Sequence, residues 1–141
     1  DYVNAGSNII TFHYEINENL NEIISKIKRN SIKAGIAIKP KTTLDEVRRY
    51  LHTVDQIIIM TVEPGFGGQS FLSDQINKIK DISNYVKENN LKVDIEIDGG
   101  VNYETGKLCV EAGANILVAG SFLFNQGDLI AATNSLSDKF N

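Results

Sequence analysis

Residues 93–101 read VDIEIDGGV. Val93, Asp94, Ile95, Glu96 and Ile97 alternate within a β-rich run, the two-residue period of a strand with unlike faces. Asp98 then stands where the strand must stop, because Gly99 and Gly100 follow at once. A strand that carries an acid to its C-terminal lip and then bares its backbone suits a small-molecule site better than a packing element.

The surrounding chain has 141 residues, enough for one substantial core, so residues 1–141 are expected to be one domain or a piece of one. A hydrophobic share of 42% and a charged share of 23% are those of a soluble globular protein. The formal net charge of −4 argues against a nucleic-acid partner, which calls for a basic face. No apolar run approaches the ~18–20 residues of a membrane span, and no signal-peptide pattern opens the chain. A single Cys109 excludes an internal disulfide framework and fits a reducing, cytoplasmic setting. Met60 is the only methionine, and DYVNAG at the start reads as the tail of a helix with Gly6 as its left-handed cap. The chain is therefore expected to be a portion or a processed product of something longer.

Strand and helix patterns alternate five times. Strands are expected at Ile9–Tyr14, Ala34–Lys39, Gln56–Val62, Val93–Asp98 and Ile116–Ala119. Gln56–Val62 is nearly all apolar, as in a strand covered on both faces. Helices are expected from Leu20 to Arg29, from a Thr43/Glu46 capping box to about Leu51, from Ser73 to Asn89, from Thr105 to Ala112, and from Gly127 to Lys139. YVNAGSNIITF at 2–12 repeats as CVEAGANILVA at 109–119, each time a helix end, an Ala-Gly cap and a strand. Alternation of this kind builds a parallel sheet with crossover helices. Strand starts recur about every 27 residues, so eight units would need about 215, near the ~250 of a (β/α)8 barrel. Five units also satisfy an open doubly wound sheet, and the pattern alone leaves both available.

The glycine loops decide for the barrel. Pro64-Gly65-Phe66-Gly67-Gly68, Asp98-Gly99-Gly100 and Gly120-Ser121 each follow a strand. Any one of them could simply be a tight turn. Three at corresponding lips offer backbone N–H groups and helix N-termini to an anion such as a phosphoryl group. No GxGxxG or GxxxxGK[ST] is present, so dinucleotide and P-loop readings are weak. Asp98, at a strand end, is the catalytic candidate, since Asn102 and Thr105 lie closer to the next helix start. Glu15, Lys39 and Glu63 also end strands and could line the mouth. His13 reads as an interior packing residue, His52 as surface and Cys109 as buried and inert, while Met60 faces either core or mouth.

MTVEPGFGGQSF at 60–71, KAGIAIKPKT at 33–42, EIDGGV at 96–101, EAGANILVAGSFLF at 111–124 and ITFHYE at 10–15 together resemble the ribulose-phosphate 3-epimerase family. EPGFGGQ is the most specific piece, and its glutamate resembles the eukaryotic form of the motif. The resemblance covers essentially the whole chain and implies a (β/α)8 barrel, of which this sequence holds about five C-terminal βα units. It implies interconversion of D-ribulose 5-phosphate and D-xylulose 5-phosphate, through an enediolate, in the pentose phosphate pathway. Asp98 would be one of two catalytic aspartates and a ligand to a divalent metal such as Zn, Fe, Mn or Co. Gly65, Phe66, Gly67, Gly68, Asp98, Gly99, Gly100, Gly120 and Ser121 would bind the sugar phosphate. A homo-oligomer, a dimer by preference, is implied for the complete protein.

By the same resemblance, the second aspartate and two metal-binding histidines belong to strands before residue 1, and neither His13 nor His52 matches them. The chain alone is therefore expected to bind metal poorly and not to epimerise. The competing readings are another sugar-phosphate barrel, such as a hexulose-phosphate epimerase, and a non-catalytic half-barrel that keeps only the anion site.

Overall fold

A computed structural model describes residues 1–65 and 68–138. Its five strands are β1 (Ile9–His13), β2 (Lys33–Ile38), β3 (Gln56–Met60), β4 (Asp94–Asp98) and β5 (Ile116–Val118). All neighbours pair in parallel, in the order β1-β2-β3-β4-β5. Strict sequential order decides between the two architectures. Right-handed crossovers that always step the same way put every helix on one face of the sheet. A doubly wound sheet reverses direction at a switch point and covers both faces. This sheet has no reversal, so the fold is α/β, with five consecutive units of the (β/α)8-barrel type.

Burial follows from that geometry. Ile36, Ile38, Ile57, Ile59 and Ile97 point toward the helices and are 0% exposed. Their alternating neighbours Thr11, His13, Ile58, Met60, Glu96 and Asp98 face the other way and are half-buried. The helices are α1 (Leu20–Lys28), α2 (Leu44–Val47), α3 (Gln75–Glu88), α4 (Tyr103–Glu111), α5 (Gly120–Phe124) and α6 (Leu129–Asp138). Leu20, Ile24 and Ile27 of α1 and Ile79, Ile82 and Val86 of α3 supply the inward stripes that the 3- and 4-residue spacing predicts.

Several boundaries differ from expectation, each for a local reason. Residues 1–6 form a hydrogen-bonded turn, with Ala5 N–H on the Asp1 carbonyl, and Gly6 keeps the left-handed φ of +86° expected of a cap. The helix expected from Thr43 to Leu51 is α2 followed by a separate 3-10 turn at Tyr50–His52. Glu46 holds the α2 entrance, taking the Thr43 N–H at 2.8 Å and its hydroxyl at 2.7 Å. Asn102 caps α4 by accepting from Glu104 and Thr105 N–H, so the helix opens at Tyr103. The last helix opens at Leu129, two residues after the expected Gly127, and its expected end at Lys139 lies outside the described residues. No sequence pattern announced α5, because five residues are too few for a helical period to show.

Cys109 sits in α4 at 0% exposure. Burial pushes its thiol up to about 12, so little thiolate forms near neutrality. Native protein at pH 8 is therefore expected to resist iodoacetamide, with one equivalent taken up after unfolding in guanidinium. Rapid stoichiometric labelling of the native chain would contradict this.

Candidate functional site

Parallel strands deliver their C-terminal ends to one lip, and the loops leaving β3, β4 and β5 meet there around a cleft of ≈ 360 Å³. Gly65, Gly68, Asp98, Gly99, Gly100, Gly120 and Ser121 all line it. Seven of the nine residues singled out as substrate-binding thus share one cavity. The other two, Phe66 and Gly67, lie outside the described residues. Met60 also lines the cleft, which answers the question of its direction. Register explains the meeting, since Met60 of β3 pairs with Asp98 of β4, and Asp98 pairs with Val118 of β5.

Two glycines at the lip are required by space as well as by conformation. Gly99 has φ +127°, and a Cβ there would lie 2.6 Å from Val62 Cγ2. Gly100 has φ +63°, and its Cβ would lie 2.6 Å from the Phe71 backbone nitrogen. Among the described residues, no hydrogen bond takes up the Gly100 N–H, and nothing donates a hydrogen bond to the Asp98 carboxylate. The lip thus presents an unengaged backbone donor, at Gly100, beside a carboxylate that no described neighbour has claimed.

Beneath Asp98 runs a polar line across the concave face. Thr11 Oγ1 lies 3.4 Å from Gln56 Oε1, and Gln56 donates to Glu96 Oε2 at 2.5 Å. Gly35 of β2 lets the line pass, because a Cβ there would meet Thr11 Oγ1 at 2.5 Å. Burial pushes the Glu96 carboxyl up, the Asp98 charge adds to this, and the Gln56 hydrogen bond offsets part of it.

Of Glu15, Lys39 and Glu63, the last alone reaches the cleft, and its carbonyl accepts from Gln69 Nε2 at 2.6 Å. Glu15 is spent on structure, taking the Lys39 N–H at 2.8 Å and the Thr42 hydroxyl at 2.5 Å. Burial pushes its carboxyl up, and those hydrogen bonds outweigh burial, leaving it below the usual carboxylate range. Lys39 meets Glu15 through its backbone and does not line the cleft. His13 Nδ1 lies 3.5 Å from Glu15 Oε2 on the concave face of β1, and exposed His52 bonds the Tyr85 hydroxyl at 2.9 Å. Sequence reading missed Thr61, whose side chain is 0% exposed and bonds the β4 end. The signal was available: a hydroxyl within the apolar run QIIIMTV must find a partner if it is buried.

Among the described residues, no group of three or more His, Cys, Asp or Glu comes together to hold a metal ion. Asp98 is one carboxylate, and a bound divalent cation needs several donors. Among the described residues, Asp98 would therefore need further donors to hold the cation that the resemblance implied.

Fold and lip together define the class: a (β/α)8-type protein whose strand-end loops enclose a polar cleft that holds Asp98. The sequence profile of the ribulose-phosphate 3 epimerase family matches residues 1–124, and the chain belongs to that family. It is 41% identical over 128 residues to the ribulose-phosphate 3-epimerase of Bacillus subtilis, covering 90% of this chain and 59% of that protein. The Escherichia coli K12 enzyme of the same name is 38% identical over 91% of this chain and 57% of its own length. A chloroplastic ribulose-5-phosphate-3-epimerase of Arabidopsis thaliana is 38% identical over 96% of this chain and 49% of its own. The chain thus spans about half the length of the curated relatives it matches. A solved thiamine phosphate pyrophosphorylase from Pyrococcus furiosus aligns over 98% of this chain and 85% of its own, at a TM-score of 0.49 and 12% identity. Among the described residues, no helix is long and apolar enough to cross a membrane.

Proposed function

We propose that this chain supplies the phosphate cradle and one of the two proton-transfer acids of a ribulose-phosphate 3-epimerase. The carrying observation is the convergence of Asp98 with Gly65, Gly68, Gly99, Gly100, Gly120 and Ser121 on a single cleft. Backbone donors at the lip would anchor the phosphate of D-ribulose 5-phosphate away from the reacting carbon, fixing its approach. The proton on C3 is acidic because a carbonyl is adjacent. Asp98, as carboxylate, would take it from one face of the sugar, leaving an enediolate. A second acid on the opposite face would return a proton, giving D-xylulose 5-phosphate. In this reading residues 1–141 are part of one barrel domain, and the second acid lies outside the described cleft. A divalent cation would likewise need donors beyond Asp98. Placement in the pentose phosphate pathway, in the cytoplasm and as a homodimer belongs to the same reading, supported by family membership.

Deuterium incorporation tests it. An enzyme combining this chain with the remaining strands of the family is expected to wash solvent deuterium into C3 during epimerisation in 2H2O, read by NMR. Residues 1–141 alone are expected to bind inorganic phosphate and to show no turnover above background. Epimerisation without C3 exchange would overturn the mechanism. Turnover by 1–141 at the rate of a complete homologue would overturn the division of acids. Phosphate binding with no turnover in either form would favour the non-catalytic anion-binding reading.

A further inference from the structure

Thr61 is the residue after the end of β3 (Gln56–Met60), and alternation turns its side chain away from Met60, toward the helix layer. It is 0% exposed, among apolar neighbours where a hydroxyl has no reason to sit unless it is bonded. Its backbone N–H donates to the Asp98 carbonyl at 3.0 Å, and its carbonyl accepts from Leu72 N–H at 2.8 Å. The hydroxyl lies 2.6 Å from the Gly99 carbonyl oxygen and 3.3 Å from that of Asp98. One proton serves one short bond, so it goes to Gly99.

The direction of that carbonyl matters because a trans peptide sets the next N–H antiparallel to it. Holding the Gly99 C=O toward Thr61, on the helix side, turns the Gly100 N–H the opposite way. Gly100 lines the cleft, and among the described residues nothing accepts its N–H. Gly99 and Gly100, with φ of +127° and +63°, are the residue type that would otherwise let this peptide rotate most freely. We propose that Thr61 is a positioning residue that locks the Gly99–Gly100 peptide so that the Gly100 N–H faces the anion in the cleft. This deepens the proposed function and rests on its phosphate-anchoring reading.

Thr61→Val keeps the shape and removes the bond, whereas Thr61→Ser keeps the hydroxyl and loses a methyl group. Inorganic phosphate is titrated into wild type and both variants of the full chain, following amide resonances by 1H–15N NMR. Thr61→Val is expected to weaken phosphate binding about 10-fold, the equivalent of ~1.4 kcal/mol and of the order of one hydrogen bond. Thr61→Ser is expected to stay within about 3-fold of wild type. In the free chain, Thr61→Val is expected to shift the Gly99 and Gly100 amides and speed their hydrogen exchange. Ile57 and Ile97, in the strand cores, should keep their protection, which separates a reoriented peptide from general destabilisation. Wild-type phosphate affinity in Thr61→Val, or unchanged Gly99 and Gly100 amides, overturns the proposal, as does a Thr61→Ser variant no better than Thr61→Val. If wild type takes up no phosphate, the anchoring reading falls and takes the anion role of the peptide with it. The amide shifts then still report whether Thr61 holds the turn, so the two failures are told apart.

Discussion

Asp98→Asn is expected to lower the rate of C3 proton exchange in a complete epimerase by on the order of 10²–10⁴, the usual range for removing a general acid–base group. The substitution is nearly isosteric, and the fold has little reason to change. Asp98 contributes to the sheet through its backbone, where its carbonyl accepts the Thr61 N–H at 3.0 Å. Its carboxylate takes no hydrogen bond from the described residues, so an amide there disrupts no existing contact. Anion binding provides the contrast. Removing one negative charge from the cleft lessens repulsion of a phosphate, so phosphate should bind as tightly as before or somewhat more tightly. A fall in kcat with no loss of phosphate affinity is the expected signature. A variant that retains exchange within about 3-fold of wild type would remove Asp98 from the chemistry.

Gly113→Ala is expected to destabilise the chain by about 3–5 kcal/mol, combining a strained backbone with an overlap in a packed site. Gly113 has φ +108°, and an added Cβ would overlap Ser83 Oγ and lie 2.6 Å from Ser83 Cβ. Ser83 is itself 2% exposed, on α3, and has little room to yield. The internal repeat supplies the control. Gly6 occupies the matching position with φ +86°, yet nothing lies within 4 Å of its virtual Cβ. Gly6→Ala should therefore cost only the conformational part, about 1–2 kcal/mol. Equilibrium urea unfolding of the two variants measures the difference, which is the contribution of the α3–α4 contact. Equal losses at the two sites would show that the overlap relaxes freely.

That pair of glycines also shows what a sequence discloses. Both copies of the Ala-Gly-x-Asn pattern adopt the left-handed turn, because conformation there depends on Gly6 and Gly113 alone. Whether a helix packs against the turn depends on residues far along the chain, and the local pattern is silent on it. The same division holds at the cleft. Asp98 and its glycines were legible because strand ends and glycine loops leave marks on a single stretch of sequence. Thr61 was not singled out because its bond to Gly99 spans 38 positions and shows only once the register of β3 and β4 is known. Glu15 looked like a mouth residue for the converse reason, since nothing nearby in sequence announces that Lys39 and Thr42 will take up its carboxylate. The polar line from Thr11 through Gln56 to Glu96 was likewise invisible, being assembled from three strands across the gap left by Gly35.

The unbroken order of the sheet also bears on how such a chain comes together. Every strand pairs with its neighbour in sequence, so each addition closes one crossover of 17 to 33 residues and needs no pairing beyond the adjacent unit. The molecule then behaves like a zipper of repeated teeth, in which a growing end is always one unit away from its next partner. Ribosomal synthesis would release those units in the order in which they dock, letting the sheet advance as the chain emerges. Changes that lengthen one connecting loop should slow a single step of that advance and leave the others at their own pace.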